Sequence, residues 1–203
     1  AEIPVGTAPR TLALSGNGTV WVANKASASI SVIDTATLAV SRTIALPRGS
    51  QPYGIVAGGG SAYVVLEAGG SLQRFSTSTY APTGSLAIGA NARHVALSAD
   101  GATAYVSRFI SAPVAGESTA APGAGSGSLL QVATGTMTLM RSMALAQSDR
   151  PDAENQGRGL PNYLGAAAIS PDGVAAWVPG KRDNTRRGAL RDGWPLVLHA
   201  TLS

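Results

Sequence analysis

Apolar and polar residues alternate along most of the chain in short runs closed by turns. Between residues 9 and 46 the runs are "TLALS", "VWVAN", "SISVID" and "SRTIAL". Alternation at period two puts successive side chains on opposite faces of an extended backbone, the pattern of a half-buried strand. Asn17-Gly18, Asp100-Gly101 and Asp172-Gly173 separate such runs. These pairs tolerate the positive φ that tight hairpin turns require. No stretch sustains the 3.6-residue period of an amphipathic helix, so the pattern predicts an all-β chain.

The alternation is organised in repeats. Turn glycines Gly18, Gly60 and Gly101 lie 42 and 41 residues apart, and Gly173 follows after 72. The next aromatic is Trp21, Tyr63, Tyr105 and Trp177 in turn. Corner threonines recur as Thr35 and Thr37, Thr77 and Thr79, Thr134 and Thr136. Inserts interrupt the third repeat at 108–127, rich in Ala, Gly, Ser and Pro, and at 146–160, which is polar. Four strands every forty-odd residues is the signature of a β-propeller of four-stranded antiparallel blades. A lone ribbon is marginal in water, and a blade buries its faces against its neighbours. About three and a half blades are expected in a single partial propeller, with repeats near 5–48, 49–90, 91–159 and an incomplete 160–203. Rings close with roughly four to eight blades. A protein partner or the remainder of its own polypeptide is therefore expected to complete this one.

Composition narrows the chemistry. Of 203 residues, 44% are hydrophobic and 13% charged, a globular composition with few surface charges. Cysteine is absent, which excludes disulfides, thiolate metal sites and covalent haem attachment within these residues. No apolar run reaches the roughly 18–20 residues of a membrane span, and the first residues lack the pattern of a signal peptide. The formal charge of +4 is uneven, since "KRDNTRRGALR" (181–191) holds five basic residues and one acid. Nucleic acid is not expected as a partner, because only Trp194 lies near this patch for base stacking.

The segments "SGNGTVWVANKASASISVIDTATLAVSRTIAL" and "LSADGATAYVSR" resemble the YVTN-type propeller repeat of bacterial and archaeal surface and exported proteins. Ser170 to Gly173 match its Ser-Pro-Asp-Gly turn, Trp21 to Asn24 and Tyr105 to Ser107 its strand, and Ile33 to Thr35 its corner. The resemblance implies a periplasmic, extracellular or cell-surface location. It is specific for fold and not for activity. A narrower resemblance, in "LPNYLGAAAISPDG", "KRDNTRRG" and "LRDG", is to propeller segments joined to di-haem cytochrome c peroxidase-like modules. It implies a haem-c module outside these residues, which themselves are expected to hold no cofactor.

Candidate sites are few. His94 and His199 are the only histidines and share no metal-ligand spacing, so no metal site is expected. His94 opens an inner strand and reads as a structural, hydrogen-bonded histidine sooner than a channel-facing ligand. Asp34, Asp100 and Asp172 sit in corners and turns that their own backbone bonding explains. No paired carboxylates with a base and no nucleophile elbow emerge, and "GSGSL" lies in a low-complexity insert. The strongest departure from the repeat is the C-terminal segment. Asn162, Tyr163, Lys181, Arg182, Asp183, Asn184, Arg186, Arg187 and Arg191 are therefore the candidate partner or ligand contacts, with the basic cluster expected in a rim loop. The reading is a non-enzymatic scaffold of an exported protein. The alternative is the propeller portion of a haem-c oxidoreductase whose redox centre lies elsewhere, and an isolated lactonase-like enzyme is disfavoured.

Overall fold

The computed structural model describes residues 2–110, 127–146, 160–183, 190–191, 194–195 and 200–202. All regular structure among them is β. The first blade comprises β1 (Pro9–Leu14), β2 (Thr19–Asn24), β3 (Ser29–Asp34) and β4 (Ala39–Ala45). The second comprises β5 (Pro52–Gly58), β6 (Ser61–Leu66), β7 (Ser71–Ser76) and β8 (Pro82–Ala87). The third comprises β9 (Ala92–Leu97), β10 (Thr103–Arg108), β11 (Gly127–Ala133) and β12 (Thr138–Leu145). Each is an antiparallel meander with strands hydrogen-bonded in chain order. The first insert is narrower than the sequence pattern indicates, since Arg108 closes β10 and Gly127 opens β11. Most of both inserts lies outside the described residues.

Among the described residues the fourth unit has shorter strands. A hairpin of β13 (Leu160–Asn162) and β14 (Ala168–Ile169) returns through β15 (Ala176–Trp177) and β16 (Lys181–Asp183). Next come β17 (Leu190–Arg191), β18 (Trp194–Pro195) and β19 (Ala200–Leu202), and β19 pairs with β16. Lys181, Arg182 and Asp183 therefore lie in a strand, not in the expected rim loop. The reason is that the hairpin continues past Val178, with Gly165 N donating to Pro179 O at 2.8 Å.

Local chemistry explains the repeat. Gly18, Gly60, Gly101 and Gly173 all hold φ between 71° and 75°, where a side chain is strained. The corner threonines fasten hairpin to hairpin, Thr35 Oγ1 donating to Gly18 O and Thr134 Oγ1 to Gly101 O, both at 2.8 Å. Asp34 Oδ1 accepts the amides of Ala36 and Thr37 at 2.8 and 2.9 Å, the Asx turn expected there.

Inner strands β1, β5, β9 and β14 lie side by side. Between blades one and two, Trp21, Ile30 and Val32 pack against Ile55, Val64, Leu66 and Phe75. Between blades two and three, Tyr63, Val65 and Leu72 meet Val95, Val106, Leu130 and Met137. Blade three meets the fourth unit through a smaller cluster of Tyr105, Leu129 and Ala167. Polar ties reinforce the contacts far from the axis: Asn17 Nδ2 donates to Thr77 O at 2.8 Å, and Arg74 Nη1 to Thr134 O at 2.6 Å.

Candidate functional site at the axial mouth

Each inner strand is preceded by a non-glycine residue in the left-handed region: Ala8 (φ 54°), Gln51 (52°), Asn91 (63°) and Tyr163 (52°). Such residues are uncommon, and here the same one recurs in every repeat. In the first three blades its carbonyl accepts the amide of the residue just past the second strand. Lys25 N reaches Ala8 O at 2.9 Å, Glu67 N reaches Gln51 O at 3.0 Å, and Phe109 N reaches Asn91 O at 2.8 Å. The backbone thus delivers Lys25, Glu67 and Phe109 to the same end of the axis, and in the fourth unit Lys181, at the start of β16, reaches it beside Tyr163. Two residues into the inner strands lie Arg10, Tyr53 and Arg93, which join them.

These residues form one connected cluster. Glu67 Oε2 accepts from Lys25 Nζ at 2.7 Å, and Glu67 Oε1 accepts from Arg93 Nε at 2.7 Å and also from Arg93 Nη2. One carboxylate therefore ties blade one to blade three across blade two. Tyr53 has three cations about its ring: Arg93 at 4.8 Å, Lys25 at 5.4 Å and Arg10 at 5.9 Å from the centroid. Arg93 also lies 3.2 Å from the Phe109 centroid. Phe109 meets Tyr163 edge to face at 5.3 Å, and Lys181 Nζ lies 5.3 Å from the Tyr163 ring. Cations are attracted to the negative face of an aromatic ring within about 6 Å, so the mouth alternates charge and ring across all four units. Among the described residues four cations (Arg10, Lys25, Arg93 and Lys181) stand against one carboxylate, an excess of three positive charges.

Burial sets the electrostatics. Desolvation would raise the carboxyl of the buried Glu67, but hydrogen bonds and charge from Lys25 and Arg93 outweigh it and hold the group below its ordinary 4.5. His94 is half-buried below Arg93 and meets Tyr53 edge to face at 5.2 Å. Burial first, then the charge of Arg93, pushes its imidazole below 6.5, against the smaller opposing pull of Glu67. At neutral pH it is an uncharged ring within the field of Arg93. Asp100 and Asp172, fully exposed, are held low by their own turns through Ser98 and Ala102, and through Ser170 and Val174.

Of the C-terminal candidates, Tyr163 and Lys181 reach this mouth. Asn162 is buried in β13. Arg182 and Asp183 lie in β16 and Arg191 in β17, while Asn184, Arg186 and Arg187 fall outside the described residues. Sequence reading missed Arg10, Lys25, Tyr53, Glu67, Arg93 and Phe109. A signal was present: Lys25, Glu67, Phe109 and Lys181 each stand four residues after the repeat aromatic. Away from the mouth, open clefts lie between β4 and β8 (about 490 Å³, with Ile44 and Phe75) and between the Asp100 and Asp172 turns (about 310 Å³). Among the described residues there is no group of three His, Cys, Asp or Glu that could hold a metal ion, and no helix long and apolar enough to cross a membrane.

Comparison with known proteins agrees with the architecture. No protein-family profile matches the sequence, and neither does any curated protein. Many solved structures match by fold. Among them is hydrazine synthase of Kuenenia stuttgartiensis, with a TM-score of 0.62 at 20% identity over 89% of this chain and 44% of that one. Virginiamycin B lyase of Staphylococcus aureus matches with a TM-score of 0.58 at 12% identity over 84% of this chain and 47% of the lyase. A catalytically inactive variant of that lyase, determined with quinupristin, matches with the same score at 14% identity over 86% and 49%. The chain thus spans less than half the length of each of these structures, and at such identities the likeness is one of fold. Sequence repeat, blade geometry and structural neighbours agree on a partial β-propeller.

Proposed function

We propose that this chain is a binding scaffold, the propeller module of an exported bacterial protein, and that its axial mouth recognises an anionic ligand or an acidic protein surface. One observation carries the reading. All four repeats place a charged or aromatic side chain four residues after the repeat aromatic, and together with Arg10, Tyr53, Arg93 and Tyr163 these make a single cluster with, among the described residues, three positive charges in excess. The rings of Tyr53, Phe109 and Tyr163 give it flat apolar faces, so carboxylates borne on a planar or aromatic body suit it best. The propionates of a haem module attached to the propeller belong to that class, as the resemblance of the C-terminal segment implies. The test is a titration with a fluorescently labelled hexaglutamate peptide at low and high salt. The Arg10→Ala/Lys181→Ala double variant removes two exposed cations and should bind roughly tenfold more weakly, since each exposed charge contact is worth about 0.2–1 kcal/mol and is screened by salt. No binding by the parent, or equal binding by the variant, would reject the reading.

A second reading, a lyase-type enzyme, is favoured by His94. An imidazole set edge to face against the Tyr53 ring at the mouth, uncharged at neutral pH, is a proton acceptor of the kind general-base chemistry needs. His94→Ala distinguishes the two. A scaffold keeps its hexaglutamate affinity within about twofold, whereas turnover of any substrate found for the parent would vanish in an enzyme of this kind.

A further inference from the structure

Charge is not spread evenly over the mouth. Among the described residues of the cluster its one carboxylate, Glu67, stands between Lys25 of blade one and Arg93 of blade three, and each of its oxygens serves a different cation. The three side chains are 22% (Lys25), 10% (Glu67) and 16% (Arg93) exposed, so water has little access to the donors. Nothing in the blade requires an acid there. Glu67 N reaches Gln51 O just as Lys25 N reaches Ala8 O and Phe109 N reaches Asn91 O, so the backbone bond forms with an acid, a base or a ring at this position. The blades on either side are also joined without it, through the buried clusters around Ile55 and Val95 and through the bonds of Asn17 and Arg74. The two cations have other neighbours to position them. The Tyr53 centroid lies 5.4 Å from Lys25 Nζ and 4.8 Å from Arg93 Cζ, and Phe109 covers Arg93 at 3.2 Å. Glu67 therefore fills a cationic notch that the surrounding rings already shape.

Resting on the anion-binding reading of the mouth, we infer that Glu67 is a resident competitor. Its carboxylate occupies the place between Lys25 and Arg93 that a carboxylate of the ligand takes, which makes the mouth selective for ligands bearing several acidic groups. A tethered group acts at an effective concentration on the order of millimolar or more, so a lone carboxylate in dilute solution does not displace it. A ligand anchored by one acidic group at an exposed cation such as Arg10 presents its next group intramolecularly as well, and competes on equal terms. Once Glu67 yields, the entering group gains two partly desolvated charged donors, where an ion pair is stronger than at an exposed rim. Discrimination of this kind works by excluding the singly charged ligand.

Titration with labelled hexaglutamate and thermal melts in acetate test this on the 203-residue chain. Glu67→Gln should bind hexaglutamate about tenfold more tightly than the parent and with a steeper dependence on salt, because two more cations are open to the peptide. A merely structural role for Glu67 would weaken binding instead. Glu67→Ala opens space for a small carboxylate between Lys25 and Arg93. Sodium acetate in place of sodium chloride at equal ionic strength should raise its Tm by several degrees and leave that of the parent unchanged, since an anion held only by the folded chain stabilises it. A variant too unstable to fold in chloride still reports, because acetate should then restore its folding. Binding by the parent with no gain in Glu67→Gln would overturn the inference and leave the mouth an anion site. Binding by Glu67→Gln alone would reject that reading for the parent and uphold Glu67 as the competitor. No binding by either would overturn both, and a Glu67→Ala chain indifferent to acetate would overturn the inference alone.

Discussion

Gly54 is the position where the packing of inner strands leaves least room. A Cβ built there stands 2.9 Å from His94 Cα and 3.1 Å from Val95 N, and closer still to Arg93 O. All three are backbone atoms of β9, so no rotamer change relieves Gly54→Ala, and the second and third blades must part at the axis. Overpacking of this kind costs about 1–3 kcal/mol. Three backbone contacts along β9 put the substitution at the upper end, about 3 kcal/mol, so Tm should fall by about 6–12 °C at roughly 2–4 °C per kcal/mol for a chain of this size. Two further glycines calibrate the result in the same calorimetric series. A Cβ on Gly58 meets only the tip of Leu97, Cδ1 at 2.9 Å, and a Cβ on Gly16 meets nothing within 4 Å. Gly58→Ala should cost under about 1.5 kcal/mol, and Gly16→Ala should be neutral or stabilising by up to about 1 kcal/mol through the unfolded chain. If Gly54→Ala melts no lower than Gly16→Ala, the inner strands are not packed in this way.

Glu67→Gln leaves Lys25 and Arg93 facing each other without their carboxylate. The loss should be about 1–3 kcal/mol by urea denaturation at neutral pH, and it should shrink as pH falls below 4.5, where the unfolded chain of the parent takes up the proton that its folded carboxyl resists. His94 acts in a higher window. Its folded pKa lies below 6.5, so on acidification the unfolded chain binds a proton before the folded one does. Stability should therefore decline as pH falls from about 6.5 toward the folded value, and His94→Gln should flatten that part of the stability profile. Arg74→Met removes the guanidinium bonds to Thr134 O and Gly135 O, and a loss of about 1–2 kcal/mol is expected in thermal melts at any pH near neutrality.

The architecture was legible because propeller strands pair with their sequence neighbours. Period-two runs, Gly18, Gly60 and Gly101 at equal spacing, and corner threonines all report contacts within one blade. The open strand-turn chemistry of Asp34, Asp100 and Asp172 is likewise local, and their bonds in the structure are those the turns require. The mouth was not legible, because it is assembled by rotation about an axis. Lys25, Glu67, Phe109 and Lys181 are four different answers at one repeat position, about forty or more residues apart, and no motif search joins them. Departure from the repeat pointed to Tyr163 and Lys181 and away from Arg10 and Arg93, which sit in strands that look ordinary. The strand at Lys181 to Asp183 was hidden for another reason: its partners, residues 160–162 and 200–202, are too short to show alternation.

The contrast between blade contacts bears on how the molecule comes apart. The first two interfaces bury continuous clusters and are tied at the axis through Glu67 and far from it through Asn17 and Arg74. Blade three holds the fourth unit by a small cluster of Tyr105, Leu129 and Ala167, with Ser107 Oγ donating to Gly165 O at 2.6 Å and Leu164 N to Phe109 O at 3.2 Å. Neighbour-coupled repeats open where coupling is weakest. Amide exchange should divide the chain accordingly: β1 to β12 protected as one cooperative block, and residues 160–183 exchanging earlier, by detachment from an intact remainder. Lys181 belongs to the earlier group, so the mouth is completed by the part of the chain that leaves first, and occupancy of the mouth would slow exchange in the fourth unit before it changed anything in the other three.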